Sequence, residues 1–183
     1  MNRFKSICLI IILTTLFIGC KESYQSPFIG KKIHFDPQLK YISDSARIRD
    51  IPNRFMGGTY RFFTIHDAIC PKCIYGKLNM VDRALYSGIH HMDKIEVVHV
   101  LNISRSDSIY FVNRMYEKVD VKGVLLWDRN FIFEETNELF TPNETERVLF
   151  VDPNNQVLQT GDPLMDRDAI DRYNAIIDTI RGL

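Results

Sequence analysis

The stretch YRFFTIHDAICPKCIYGKLNMVDRAL, Tyr60 to Leu85, changes its periodicity across a pair of cysteines. Tyr60 to Ile65 is aromatic and β-branched, which predicts a strand. After Cys70 the apolar residues Ile74, Leu78, Val81 and Leu85 recur at steps of four, three and four, the spacing of one helix face. Cys70 and Cys73 therefore stand where a strand gives way to a helix, with Pro71 and Lys72 between them. The C-x-x-C spacing alone leaves three uses open: a metal pair, a redox dithiol or a small structural disulfide.

The alternation continues downstream. KIEVVHVLNI (Lys94–Ile103) is almost continuously apolar, as a strand covered on both faces would be. SDSIYFVNRMYEKV puts Ile109, Val112, Tyr116 and Val119 on one helical face. GVLLW (Gly123–Trp127) predicts a short strand and FIFEETNELF a brief helix. RVLFVD and QVLQTG flank a Pro-Asn-Asn turn and predict an antiparallel hairpin. Ile170, Tyr173, Ile177 and Ile180 mark a closing helix. Upstream, GKKIHFDP (Gly30–Pro37) has the look of an edge strand, and Gln38 to Gly58 is irregular. Strands alternating with helices predict an α/β domain with a mainly parallel central sheet, helices on both faces and an antiparallel β-hairpin at one edge.

The N-terminus belongs to a different class of segment. MNRFKSICLIIILTTLFIGC carries Arg3 and Lys5 before an apolar run from Ile7 to Ile18, a secretory pattern too short for a comfortable membrane span. Its LFIGC ending resembles a bacterial lipobox. The resemblance implies cleavage before Cys20 and lipid on that residue. The boundaries are then a signal peptide at 1–19, a lipid-anchored tether at 20–29 and one domain at 30–183. Localisation to a bacterial cell envelope follows, membrane-anchored and facing the periplasm or exterior. Cleavage also removes Cys8, so Cys70 and Cys73 are the free thiols left, in an oxidising compartment. The formal net charge of zero for 183 residues gives no basic excess and argues against a nucleic-acid partner.

A C-x-x-C at the junction of the first main strand and its helix, followed by βαβ, a hairpin and a closing helix, resembles the thioredoxin-like envelope lipoproteins. RVLFVDPNNQVLQTGDP resembles their hairpin, and the similarity runs from about Gly30 to Leu183. The resemblance implies a three-layer thioredoxin-like fold and a membrane-anchored thiol–disulfide oxidoreductase acting on exported proteins, without cofactor or metal. Its partners would be protein thiols or disulfides in the envelope and a separate redox partner. Cys70 would attack and Cys73, more buried, would resolve. The position has a physical logic. Unpaired N–H groups and the macrodipole at a helix start favour a thiolate. Pro71 fits a first turn that does not need its N–H, and Lys72 adds a cation. The alternative is a thioredoxin-like binding or scaffolding module whose disulfide is not turned over. A metal-binding module ranks below both, since no second C-x-x-C or H-x-x-x-H is present.

The chain also departs from that family. Ile69 stands where a tryptophan usually precedes the first cysteine, and Thr64 stands at the spacing of the family's buried acid. Aligning Asp152 with the family's strand-end aspartate puts Glu146 where a proline usually faces the dithiol; Pro142 lies four residues earlier. Glu146 is thus a candidate proton acceptor or substrate-facing residue, or a plain loop acid like Glu144. His66 and Asp67 are further candidates for tuning the thiolate, against ordinary roles at a strand end and in a solvated loop. His99 reads as a packed strand histidine, and His90 and His91 as loop residues.

Overall fold

The computed structural model describes residues 25–42, 48–51, 57–68 and 70–180. The signal segment, Cys20 and Ile69 lie outside the described residues. Seven strands form one sheet: β1 (Lys40–Ile42), β2 (Ile48–Asp50), β3 (Tyr60–Asp67), β4 (Ile95–Asn102), β5 (Val124–Asp128), β6 (Val148–Val151) and β7 (Val157–Thr160). The helices are α1 (Pro71–Gly88), α2 (Arg105–Tyr110), α3 (Ile132–Thr136) and α4 (Ala169–Ile177). The spatial order is β2-β1-β5-β4-β3-β6-β7. The central strands β5, β4 and β3 run parallel. The flanking pairs β1–β5, β3–β6 and β6–β7 are antiparallel. The sheet is mixed, with its parallel part at the centre, where the most continuously apolar strand, β4, is buried on both faces.

Side chains alternate across each strand and separate two packed layers. On one face, Phe62, Val97 and Phe150 pack under Val81 and Leu85 of α1 and Tyr173 and Ile177 of α4. That face continues toward β5 through Leu101, Leu125, Ile74, Leu78 and Phe111. On the other face, Phe63, Ile65, Val98, Val100 and Leu126 are covered by Phe133 of α3 and by Phe28, Ile33 and Leu39 from the N-terminal segment. The hairpin turn is built by Asp152, whose Oδ1 accepts from the N–H groups of Asn154 and Gln156, both at 2.8 Å. Asn155 takes the left-handed conformation there (φ 64°), which asparagine tolerates.

Three sequence expectations need correction. Gly30–Pro37 forms no named strand; Lys32 makes one isolated bridge to Gln156, while Ile33 and Leu39 turn inward to roof the sheet. Phe28, read as tether, is 4% exposed and belongs to the core, because an aromatic ring is worth more under the sheet than in water. The second helix is interrupted. A π-helical turn, Phe111–Met115, follows α2 and inserts an extra residue into the turn. Phe111 is thereby buried while Ile109, expected on the inner face, is 59% exposed.

Tyr173 ties α4 to the hairpin. Its buried hydroxyl lies 2.8 Å from the carbonyl of Gly161 and 3.0 Å from that of Val148. Tyr173→Phe keeps the ring and removes the donor. It is expected to lower stability by about 1–2 kcal/mol, read as a shifted urea midpoint at unchanged slope. An unchanged midpoint would mean that this hydroxyl contributes nothing.

Candidate functional site

The parallel strands end on one side of the sheet, and α1 starts there directly after β3. Cys70 is the N-cap residue of α1 (φ −115°, ψ 95°) and Pro71 opens the helix. The N–H groups of Cys73 and Ile74 donate to the Cys70 carbonyl at 2.9 and 3.2 Å. Cys70 and Cys73 are joined by a disulfide with Cα atoms 5.3 Å apart. Both cysteines are exposed. The expected burial of Cys73 is therefore not found: among the described residues the second sulfur, like the first, belongs to an exposed side chain. Burial does not tell the two cysteines apart, and position relative to the helix start does.

On the α1 face of the sheet lies a buried polar chain that reaches toward the end of β3. Thr64 Oγ1 is 2.7 Å from His66 Nε2 and 2.6 Å from His99 Nδ1. His99 Nε2 is 3.1 Å from Asp82 Oδ1. Asp82, from α1, also accepts the N–H groups of Lys122 and Gly123, each at 3.0 Å. All four side chains are at most 3% exposed. Burial alone would raise the Asp82 pKa, but the hydrogen bonds from His99 and the two amides outweigh it and hold the carboxyl below its ordinary range. Burial, then the neighbouring His99, Lys77 and Arg147, pushes His66 well below the usual histidine value. Gly123 is required for this approach: a Cβ there would lie 2.7 Å from His99 Nε2.

A second polar cluster occupies the opposite face at the same end. Asp67 accepts from Asn102 Nδ2 at 3.0 Å and from Arg147 Nη1 at 2.5 Å. Asn102 also donates to Glu134 Oε2 at 2.5 Å, and Arg147 Nη2 lies 3.5 Å from Glu134 Oε1. Glu134 is fully buried. Burial raises its pKa and Arg147 opposes the rise. Arg147 is the residue immediately before β6, and its carbonyl accepts the Ile65 N–H at 2.8 Å. Glu146 lies one residue earlier, in the 3-10 turn Glu144–Glu146. It accepts from Thr141 Oγ1 at 2.9 Å. It also lines a cavity of about 600 Å³ with Leu158, Thr160 and Arg172; neither cysteine is among the lining residues. Glu144 pairs with Lys77 at 3.7 Å.

The structure thus brings His66 and Asp67 together with the C-x-x-C at one end of the sheet, on opposite faces. Pro71 and Lys72 belong to the first turn of α1. Sequence reasoning missed Asp82, Asn102, Glu134 and Arg147 as parts of this site. One signal existed: Asp82 interrupts the apolar face of Leu78, Val81 and Leu85, and a charge on that face needs a buried partner. Among the described residues no group of three or more His, Cys, Asp or Glu side chains is placed to hold a metal ion.

No protein-family model and no curated protein sequence matches the chain. Solved structures do. The mitochondrial 2-Cys peroxiredoxin from Plasmodium falciparum superposes with a TM-score of 0.55 at 17% identity, covering 85% of this chain and 98% of that one. The thioredoxin domain of a thiol-disulfide oxidoreductase from Bacteroides vulgatus gives 0.50 at 12% identity, over 85% and 100%. The exposed lipoprotein thioredoxin from Streptococcus pneumoniae gives 0.50 at 17%, over 75% and 97%. At these identities the likeness is one of architecture, and with the strand order and the C-x-x-C at the head of α1 it establishes that the chain has a thioredoxin-like fold.

Proposed function

We propose that the chain is a membrane-anchored thiol–disulfide oxidoreductase that acts on exported proteins through Cys70 and Cys73. The observation that carries this reading is the exposed disulfide at the N-terminus of α1, at the end of the parallel strands. In the reducing direction the Cys70 thiolate attacks a partner disulfide. One partner sulfur leaves with the electron pair and the other is held in a mixed disulfide. Cys73 then attacks Cys70, closes the intramolecular bond and releases the second partner sulfur. The reverse sequence oxidises a partner. Neighbours in fold that are named as a thiol-disulfide oxidoreductase and as an exposed lipoprotein thioredoxin support the reading.

The helix start makes a testable demand on Cys70. In the reduced protein its thiol is expected to titrate below the free value of about 8.5, and Lys72→Glu to raise it by removing a cation and adding an anion. Alkylation rate against pH measures both. A Cys70 that titrates at or above the free value, or reacts more slowly than Cys73, overturns the assignment. A dithiol that exchanges with no small disulfide returns the chain to the non-catalytic binding reading.

Anchoring rests on the sequence around Cys20. Among the described residues no helix is long and apolar enough to cross a membrane. Phe28 is already in the core, so eight residue steps from a lipidated Cys20 span at most about 28 Å. The domain would ride close to the headgroups in the bacterial envelope. Cys20→Ser is expected to abolish incorporation of labelled fatty acid and to leave an uncleaved precursor. Wild-type protein that takes up no label would remove the anchor from the account.

A further inference from the structure

We infer that Asp82, His99, Thr64 and His66 form a proton relay serving the Cys70–Cys73 pair, with His66 Nδ1 as its open end. The inference rests on the proposed exchange reaction and names the groups that carry its proton.

Read from the far end with both rings neutral, the chain takes one set of hydrogen-bond directions. Asp82 accepts two backbone N–H groups and is a carboxylate, so at Oδ1 it accepts from His99 Nε2–H. In the tautomer that carries its single proton at Nε2, His99 has only an acceptor at Nδ1, and the Thr64 hydroxyl donates to it. With its proton committed, Thr64 Oγ1 accepts from His66 Nε2–H. His66 Nδ1 is left as a lone pair. It is buried and, among the described residues, has no hydrogen-bond partner, a rare condition that asks for an explanation.

His66 stands near the end of β3, the strand that leads into α1. His66 is in register with Leu101, and Leu101 packs against Ile74 and Leu78. Lys77 of α1 and Arg147 before β6 are close enough to oppose positive charge on the ring. Cys73 precedes Lys77 by one turn and shares its side of the helix. Around the far end, Asp82 faces His99, the Lys122 and Gly123 amides and Tyr86. A proton taken at His66 is therefore repelled there and attracted to His99 beside Asp82.

In the mixed disulfide, Cys70 Sγ is bonded to the partner sulfur and Cys73 holds its proton. His66 Nδ1 takes that proton. The Nε2 proton of His66 passes to Thr64, and the Thr64 hydroxyl proton passes to His99 Nδ1. The two hydrogen bonds at Thr64 reverse, His99 Nε2–H still donates to Asp82, and the positive charge comes to rest on His99 against Asp82. The Cys73 thiolate attacks Cys70 Sγ and forms the Cys70–Cys73 bond. The bond to the partner breaks, and the partner sulfur leaves with the electron pair. The dithiol is oxidised by two electrons and the partner disulfide is reduced by two.

The test uses the full-length chain in detergent. Nitrogen-15 spectra of the histidine rings in the oxidised protein at neutral pH are expected to show His66 and His99 both protonated at Nε2 and bare at Nδ1. A His66 protonated at Nδ1 overturns the relay. Stopped-flow with a small aromatic disulfide separates attack from resolution. Thr64→Val breaks the chain without changing size and is expected to slow resolution at least about tenfold and flatten its pH profile, while Thr64→Ser restores both. Resolution in Thr64→Val at the wild-type rate, or equally slow in Thr64→Ser, contradicts the relay. Wild-type protein that exchanges with no disulfide would sink the proposed function instead, and the ring tautomers would then decide the relay alone.

Discussion

Cys70→Ser is expected to abolish thiol–disulfide exchange, and Cys73→Ser to stall it after the first step. The two losses differ because the two sulfurs stand differently at the helix start. Cys70 caps α1, where the unpaired N–H groups of the first turn stabilise a thiolate. A serine hydroxyl there cannot ionise in the working range and has no sulfur to offer. Cys73 lies inside the first turn with its N–H already bonded to the Cys70 carbonyl. With Cys73→Ser the first attack proceeds, nothing displaces the partner, and a stable mixed disulfide accumulates. Intact-protein mass spectrometry after mixing with a small disulfide reads both outcomes. A Cys73→Ser variant that turns over like the wild type would require a different resolving group and would overturn the assigned cycle.

The second large effect concerns stability at the end of the sheet. Arg147→Ala is expected to cost about 3–5 kcal/mol near neutral pH. Arg147 faces the fully buried Glu134 and the partly buried Asp67, and its loss leaves two carboxylates close together with Asn102 as their shared donor. The pH dependence follows from Glu134. Burial raises its folded-state pKa, so between the unfolded and folded values the native chain binds more protons than the unfolded chain. The contribution of this carboxyl to stability therefore falls as pH rises through that window. Without Arg147 the folded value moves further up and the window widens. The deficit of the variant should be largest near neutral pH and should shrink on acidification toward the ordinary glutamate range. Urea titrations of both proteins across that pH range measure it. A deficit that is small or independent of pH would show that Glu134 finds its compensation elsewhere.

Much of the fold could be read in the sequence because the signals were local. The aromatic run before Cys70 is β3, the steps of three and four after it are the inner face of α1, and the apolar run ending near Ile103 is β4. The Pro-Asn-Asn turn between β6 and β7 carries its own chemistry in Asp152 and Asn155. What escaped was non-local. β1 and β2 are three residues long and acquire strand geometry only by pairing with β5 and each other. The π-helical turn after α2 rotated Phe111 inward through an insertion that no periodicity announces. At the site, the cysteines and the helix start were plain, since both depend on adjacent residues. The charged and polar partners were not. Asp82 and His99 meet from a helix and a strand 17 residues apart, and Arg147 reaches Asp67 across 80 residues. Glu134 stands in a short helix where no spacing marks it, yet register and crossover bring it to Asn102.

The reduction potential of the Cys70–Cys73 pair, equilibrated against glutathione at neutral pH, tests the central claim most directly. Catalytic dithiols of this kind span about −270 to −120 mV, whereas structural disulfides of secreted proteins lie below about −300 mV. An exposed pair at a helix start, with a thiolate-favouring Cys70, is predicted to fall inside the first range. A potential below about −300 mV would contradict the account and make the disulfide a structural staple.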